Sequence, residues 1–179
     1  IIVSDEDSKL RTDPLKGINT LSYDTVQVAD TALVRPVAMA YKAAVPSPAR
    51  KGIRNFLYNL HEPVVFVNYL LQLKPGKAVE TLGRFSINST IGVGGLVDVA
   101  KIKGLNMPRR TNGFAYTLGY YGVKPGAFLY LPLIGATSVR DLAGRALDLT
   151  LVPSTIGGVF GRPEFSLTTG TLRSLDDRV

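Results

Sequence analysis

Apolar residues recur along this chain at the spacing of α-helices, in short segments bounded by proline or glycine. In the clearest segment, Ser47 is the predicted N-cap and Pro48 occupies the first turn. The apolar stripe that follows at i, i+3, i+4 and i+7 comprises Ile53, Phe56, Leu57 and Leu60. This pattern predicts an amphipathic helix.

The N-terminal part of the chain predicts two further helices. Asp13-Pro14 forms a helix start for a segment over about 14–31. Its apolar face comprises Ile18, Leu21, Val28, Ala29 and Ala32. We expect Arg35-Pro36 to interrupt this helix, because proline lacks the N–H donor that a helix interior needs. A second helical stretch over 37–44 follows.

Helices are also predicted in the second half of the chain. Pro75 begins one whose apolar face comprises Val79, Leu82 and Phe85. Ser138 and Asp141 resemble a capping box, with Asp in place of Glu, at the start of a helix that runs to Pro153. A last helical turn is predicted near 172–178.

The run from Pro63 to Leu73 is apolar on nearly every side and predicts a separate helix, with Glu62 and Lys74 marking where it meets water. At 1.5 Å per residue it is about 16 Å long, which is half of a bilayer core. It is therefore either the central helix of the domain or an element that lies in one leaflet. The residues predicted to be embedded in a membrane, from this run and from the helix before it, are Phe56, Leu57, Phe66, Leu70 and Leu71.

Two glycine-containing regions predict irregular backbone. Gly92, Gly94 and Gly95 lie within four positions, and their surroundings lack the Gly-Lys-Ser/Thr ending of a phosphate loop. They predict a tight turn with a positive φ or a close backbone approach. Residues 111–135 alternate aromatic residues with glycine and proline, which predicts a tightly turned, irregular chain.

The composition is apolar and basic. The 179 residues are 45% hydrophobic and 20% charged, and the formal net charge is +7. Residues 31–124 contain thirteen basic and three acidic residues. Such a stretch suits anionic lipid head groups, nucleic acid or an acidic protein. Lipid fits the apolar composition best; the alternative is a basic module for nucleic acid or an acidic protein, whose phosphate contacts would weaken steeply with salt.

Catalytic chemistry has little support in the sequence. The absence of cysteine excludes a thiolate metal site and a cysteine nucleophile, and there is one histidine. His61-Glu62 does not begin an H-E-x-x-H motif, because Val65 stands at the second histidine position. No G-x-S-x-G elbow occurs. We expect neither an enzyme nor a bound metal or cofactor.

A series of blocks in this chain resembles the MlaA (VacJ) lipoprotein family, in the same order over about residues 13–148. The blocks are Asp13-Pro14-Leu15-Lys16-Gly17-Ile18-Asn19, Val34-Arg35-Pro36-Val37-Ala38, Leu60-His61-Glu62-Pro63, residues 84–100 from Arg84-Phe85-Ser86 to Asp98-Val99-Ala100, and Leu131-Pro132-Leu133-Ile134-Gly135 with Val139-Arg140-Asp141.

The resemblance implies a compact all-α domain, with helices arranged as a ring in the periplasmic leaflet of the outer membrane of Gram-negative bacteria. It also implies an amphipathic channel that removes misplaced phospholipids from the outer leaflet and passes them to a periplasmic lipid carrier, beside a trimeric porin. We therefore expect a flexible acidic leader over 1–12 and one helical domain over 13–179. The lipidated cysteine of the family and its C-terminal segment are expected outside these residues.

Charged residues within otherwise apolar blocks are the candidates for the polar path of such a channel: Arg35, Arg84, Asp98, Arg140 and Asp141. A charge buried without a partner is costly, so each must pair or face water. Structural ion pairs, such as one between Arg84 and Asp98, are the alternative interpretation.

Overall fold

In residues 15–131 and 134–156, which the computed structural model describes, α-helices predominate and a two-stranded hairpin is added to them. The elements are α1 (Lys16–Ala29), a π turn (Asp30–Val34), α2 (Arg35–Ala44), α3 (Ser47–Leu71), α4 (Pro75–Thr90), a 3-10 turn (Val99–Lys101), α5 (Phe114–Tyr120), β1 (Phe128–Leu131), β2 (Gly135–Ser138) and α6 (Val139–Ile156). The predicted leader over 1–12 and the predicted turn near 172–178 lie outside the described residues.

The first two helices are continuous, so the predicted interruption at Arg35-Pro36 is wrong. The π turn Asp30–Val34 joins α1 to α2, and the Arg35 N–H donates to the carbonyl of Asp30, five residues earlier. A proline ring clashes with the carbonyl of the preceding turn in a regular α-helix. The wider turn before Pro36 provides a local alternative to ending the helix.

One helix of 25 residues, α3, replaces the two segments that the sequence predicts on either side of Pro63. Pro63 removes one helical hydrogen bond, but its neighbours Glu62, Val64 and Val65 are buried. Tertiary packing on both sides of the proline therefore holds the helix together. Ser47 is the first helical residue rather than the N-cap, and its hydroxyl accepts a hydrogen bond from Arg50 Nη2 at 3.2 Å.

The helix α4 is inverted relative to a helix on the surface of a water-soluble domain. It packs against α3, and its buried residues are Ala78, Thr81, Arg84 and Asn88. By contrast, the apolar residues Val79 and Leu82 are 67% and 46% exposed. Two of the three residues of the predicted apolar face therefore point away from the protein, whereas the third, Phe85, is half-buried.

The same inversion occurs in α1. Ile18, Leu21 and Val28 of its predicted apolar face are exposed, whereas the buried residues of α1 are Asn19 and Val26. The apolar core between α3 and α4 is small, and is formed by Val65, Tyr69 and Ala78 with Phe66 against them.

Within the region that the sequence predicts to be irregular, α5 and a β-hairpin form. The strands β1 and β2 pair antiparallel, with Phe128 opposite Ser138 and Leu131 opposite Gly135. Asn19 of α1 ties β1 to the helices: its Nδ2 donates to the Phe128 carbonyl, and its Oδ1 accepts from the Tyr130 N–H, both at 3.0 Å. At the end of β2, Ser138 caps α6, because its hydroxyl accepts from the Asp141 N–H at 3.2 Å.

The glycine cluster forms the turn after α4. Gly94 and Gly95 adopt left-handed backbone conformations, with φ of 69° and 93°. A Cβ on Gly92 would lie 2.3 Å from the carbonyl oxygen of Val97, and a Cβ on Gly95 would lie 2.6 Å from Cβ of Asn59. The turn therefore requires glycine for both its conformation and its packing.

No helix in the described part of the chain is both long enough and apolar enough to cross a bilayer.

Gly95→Ala should destabilise the protein more than Gly94→Ala. Both substitutions place a Cβ in the left-handed region, at a cost of about 1–2 kcal/mol. Only the first also collides with Asn59, whose Nδ2 donates to Ser89 Oγ at 2.9 Å and fixes its position, whereas Gly94 faces open space. Denaturant unfolding in detergent measures the difference; equal losses would show that the close approach contributes nothing.

Candidate functional site

Arg84 lies at the centre of the described helices with three acceptors around its guanidinium. Its Nε donates to Glu62 Oε1 at 3.0 Å, and its Nη2 donates to Asp98 Oδ1 at 3.1 Å and Oδ2 at 3.2 Å. Its Nη1 donates to the carbonyl of Met107. Arg84 is 2% exposed and Glu62 is 3% exposed. One side chain thus links α3, α4 and the chain between α4 and α5.

Asn88 extends this cluster by one turn of α4. Its Nδ2 donates to Asp98 Oδ1 at 3.0 Å, and its Oδ1 accepts from the Ala100 N–H at 3.0 Å. The side chain therefore orients both Asp98 and the 3-10 turn that follows it. We call Glu62, Arg84, Asn88 and Asp98 the arginine cluster.

The arginine cluster holds two carboxyl groups for one guanidinium. Burial raises the pKa of Glu62, against the opposing effect of the Arg84 guanidinium beside it. A raised pKa favours the protonated acid, which would remove the excess negative charge.

The sequence analysis named Arg84 and Asp98 but missed Glu62, which it placed at a water boundary; the structure buries it. In the sequence, Glu62 stands directly before Pro63, where a charged residue is expected to mark the end of a helix. Only the knowledge that α3 packs against α4, which carries Arg84, could have indicated that Glu62 is buried.

A second polar network joins α3 to α5 and α6. Thr117 Oγ1 donates to Asn68 Oδ1 at 2.6 Å, and Gln72 Nε2 donates to Thr117 Oγ1 at 3.0 Å and to Asn112 Oδ1 at 2.8 Å. All four residues are buried. A polar network of this kind fixes which helices meet, because each unpaired buried group would be costly.

Asp148 closes this network from α6. Its Oδ1 accepts from the Phe114 N–H at 3.0 Å and from Asn68 Nδ2 at 3.3 Å. Burial raises the pKa of Asp148 to about 6, although both hydrogen bonds favour the carboxylate. The carboxyl group also packs tightly: a Cβ on Gly113 would lie 2.4 Å from its Oδ2.

Arg35 lies at a different place, in a cleft of about 500 Å³ beside the π turn. The residues that line the cleft are Val26, Gln27, Asp30, Thr31, Arg35, Ala38, Met39, Lys42 and Tyr130. They come from α1, the π turn, α2 and β1.

Arg140 and Asp141 form a third, local arrangement. Arg140 Nε and Nη2 donate to Asp141 Oδ1 at 3.0 and 2.9 Å, and Arg140 Nη1 donates to the Val123 carbonyl at 3.3 Å. The five residues predicted for the polar path therefore do not form one site. The structure joins Arg84 to Asp98 and Arg140 to Asp141, and it places Arg35 apart from both pairs.

The five residues predicted to be embedded in a membrane also differ from one another. Phe56, Leu70 and Leu71 are exposed and Phe66 is half-buried against the core. Leu57 is buried within the protein, so it is not available to contact lipid.

Within the described residues, no group of three or more histidine, cysteine, aspartate or glutamate side chains is arranged to hold a metal ion. The arginine cluster and the second polar network instead pair buried polar groups with one another. The helices that carry them expose many of their apolar residues.

Comparison with known proteins identifies this arrangement. The model of the MlaA lipoprotein family matches residues 11–179. The chain belongs to the MlaA lipoprotein family. The resemblance that the sequence blocks indicate is therefore confirmed.

Two MlaA proteins and one solved structure illustrate the relationship. The chain is 36% identical over 188 residues to the intermembrane phospholipid transport system lipoprotein MlaA of Escherichia coli strain K12, covering 97% of this chain and 75% of that protein. It is 36% identical over 139 residues to the protein of the same name from Haemophilus influenzae, covering 77% of this chain and 56% of that protein. A solved chain from work on the structural basis for maintenance of bacterial outer membrane lipid asymmetry matches with a TM-score of 0.77 and 36% identity, covering 94% of this chain and 86% of that chain.

Arg84→Met should destabilise this MlaA-family chain by about 3–5 kcal/mol, because it leaves the buried Glu62 and the partly buried Asp98 without their cation. Glu62→Gln should cost much less, since it removes the excess negative charge and keeps an acceptor for Arg84. The control is Arg110→Met: Arg110 pairs with Glu80 in a partly exposed position, where an ion pair contributes at most about 1 kcal/mol. Denaturant unfolding compares them, and equal losses for Arg84→Met and Arg110→Met would contradict a structural role for the cluster.

Asp148→Asn should flatten the dependence of stability on pH. Because the folded pKa of Asp148 is raised from 3.8 to about 6, the folded state binds the proton more tightly, and the free energy of unfolding falls as pH rises through that window. An amide oxygen at this position can still accept from Phe114 and Asn68, so at pH 7 the variant should be at least as stable as the parent.

The matched control for this pH dependence is Asp24→Asn, which removes an exposed carboxylate from α1. In this control, the free energy of unfolding should still fall as pH rises. Unfolding curves between pH 4 and pH 7 give the comparison. An unchanged slope in Asp148→Asn would show that Asp148 does not retain its proton.

Proposed function

We propose that this chain is the outer-membrane lipoprotein component of a phospholipid transport system that maintains lipid asymmetry. In this proposal, it lies in the periplasmic leaflet, takes phospholipids misplaced in the outer leaflet and passes them to a periplasmic lipid carrier. The main support is the combination of its membership of the MlaA lipoprotein family with the inverted polarity of its helices. The E. coli relative is the lipoprotein MlaA of an intermembrane phospholipid transport system.

The inverted helices suit an environment that is apolar outside the protein. Exposed apolar side chains occur on four successive helices: Ile18, Leu21 and Val28 on α1, Val37 and Met39 on α2, Leu70 and Leu71 on α3, and Val79 and Leu82 on α4. Extensive exposed apolar surface is typical of a protein that contacts a membrane or another protein. Acyl chains would cover these residues without any helix spanning the bilayer.

Lipid transfer of this kind needs no covalent step. A head group needs a polar path, and the acyl chains need an apolar boundary beside it. Among the described residues, the buried charges of Glu62, Arg84 and Asp98 are committed to each other, which suits a structural role rather than acid–base catalysis. We therefore propose that binding and release of intact phospholipid are the whole activity.

The partners follow from the same proposal. A periplasmic carrier protein must accept the lipid, because a phospholipid monomer does not cross water readily. A trimeric porin is the proposed neighbour within the outer membrane.

The competing function, a basic module for nucleic acid or an acidic protein, predicts different behaviour in salt. Binding to a phosphate backbone falls steeply as salt rises, because it depends on counterion release. Association through the apolar faces depends on area removed from water and persists in salt.

Leu70→Lys should weaken association with phospholipid vesicles at high salt without unfolding the protein, because Leu70 is exposed. A charge at mid-depth in hydrocarbon costs about 2.5–3.5 kcal/mol. Thr111→Lys, at an exposed loop position beside Arg110, is the control and should leave association unchanged. Flotation of the full chain with vesicles, together with measurement of copurified phospholipid, tests this. A parent protein that neither floats at high salt nor copurifies with phospholipid would contradict the proposed function.

A further inference from the structure

The cleft beside the π turn contains two basic side chains, Arg35 and Lys42, and one acidic side chain, Asp30, and no ion pair joins them among the described residues. Neither the side chain of Arg35 nor that of Lys42 forms an ion pair or a hydrogen bond with any of the described residues. In contrast, Arg84, Arg110 and Arg140 each pair with a carboxylate. Arg35 and Lys42 are therefore available to bind an anion from outside the chain.

The helix geometry directs these two cations to the same cleft. They lie seven residues apart on α2, which is about two helical turns, so both project from one face. Their side chains are long and flexible, and a single oxyanion between them would lie within reach of both. The guanidinium of arginine is well suited to phosphate, because its planar fork donates two parallel hydrogen bonds.

Apolar side chains line the same cleft. Val26 comes from α1, and Ala38 and Met39 come from α2 between the two cations. A volume of about 500 Å³ is within the range of small-molecule sites, which is about 300–1,000 Å³. The cleft thus offers positive charge and apolar surface side by side, which is the complement of an amphiphile with an anionic head.

One residue that lines the cleft, Tyr130 of β1, is held in place by contacts with α1. Its backbone N–H donates to Asn19 Oδ1 at 3.0 Å while its carbonyl accepts from the Ser22 hydroxyl. Its ring also packs edge-on against Tyr23, with ring centroids 5.1 Å apart. A ligand in the cleft would therefore meet an already ordered surface, which reduces the entropy lost on binding.

We propose that this cleft binds the phosphodiester group of a phospholipid, with Arg35 and Lys42 as ligands of the phosphate and Val26, Ala38 and Met39 against the carbons that follow it. The proposal rests on the proposed function and adds a head-group site to it. It also assigns a role to the π turn, which joins the residues of α1 and α2 that line the cleft.

The test measures lipid binding by the full chain in micelles of a neutral detergent. The probes are a short-chain phosphatidylglycerol, a diacylglycerol with the same acyl chains, and inorganic phosphate. The cleft variant is Arg35→Gln/Lys42→Gln. The matched control, Lys101→Gln/Lys103→Gln, removes two exposed positive charges outside the cleft. Circular dichroism verifies the helix content of both variants, which should be unchanged because all four side chains are exposed.

The proposal predicts that the parent binds phosphatidylglycerol more tightly than either diacylglycerol or inorganic phosphate. The cleft variant should lose at least about tenfold in affinity for phosphatidylglycerol, which corresponds to one charge-assisted contact, while the control retains its affinity.

Equal losses in the two variants, or no loss in the cleft variant, would overturn the cleft proposal and leave the proposed function intact, provided that the parent binds the phospholipid. Equal binding of diacylglycerol would exclude phosphate recognition, and equal binding of inorganic phosphate would exclude a lipid-specific site. A parent that binds no phospholipid would overturn both proposals together.

Discussion

The buried guanidinium of Arg84 imposes the strictest requirement on this structure. A charge removed from water must find acceptors for its donors, and these must come from distant parts of the chain. Glu62 of α3, Asp98 of the segment after α4 and the Met107 carbonyl provide them. Asp98 reaches this position because the glycine turn reverses the chain, with the Gly95 N–H donating to the Asn88 carbonyl at 2.7 Å. The turn, the cluster and the pairing of α3 with α4 therefore depend on one another.

Polar pairing at the centre accounts for the inversion of the helices. The buried positions of α4 are occupied by Ala78, Thr81, Arg84 and Asn88, and its large apolar residues Val79 and Leu82 are exposed. In water such an arrangement would sacrifice most of the free energy gained by burying apolar surface. Within a membrane leaflet the same arrangement is favourable. Exposed apolar residues contact acyl chains there, and polar groups must find their hydrogen-bond partners within the protein. The fold is thus stable where hydrocarbon surrounds it and hydrogen bonds remain inside.

Much of the helical framework could be predicted from the sequence, since starts such as Pro75 and the Ser138 cap are local signals. The direction in which each apolar face points could not, because periodicity identifies a face without saying what covers it. The continuity of α3 through Pro63 was also missed, since buried neighbours outweigh the proline. The hairpin escaped prediction because it depends on Asn19, which lies more than a hundred residues away in sequence.

Long-range contacts also decide which of the predicted charges can interact with a lipid. Arg84 and Asp98 already satisfy each other inside the protein, and Arg140 pairs with its neighbour Asp141. A transport path needs charges that can exchange one anion for the next, and a guanidinium held by two buried carboxylates cannot release them cheaply. Arg35 differs, because it is exposed and its guanidinium has no acceptor among the described residues. Of the five charged residues that the sequence proposes for a polar path, Arg35 is therefore the one whose surroundings suit transient binding of an anion.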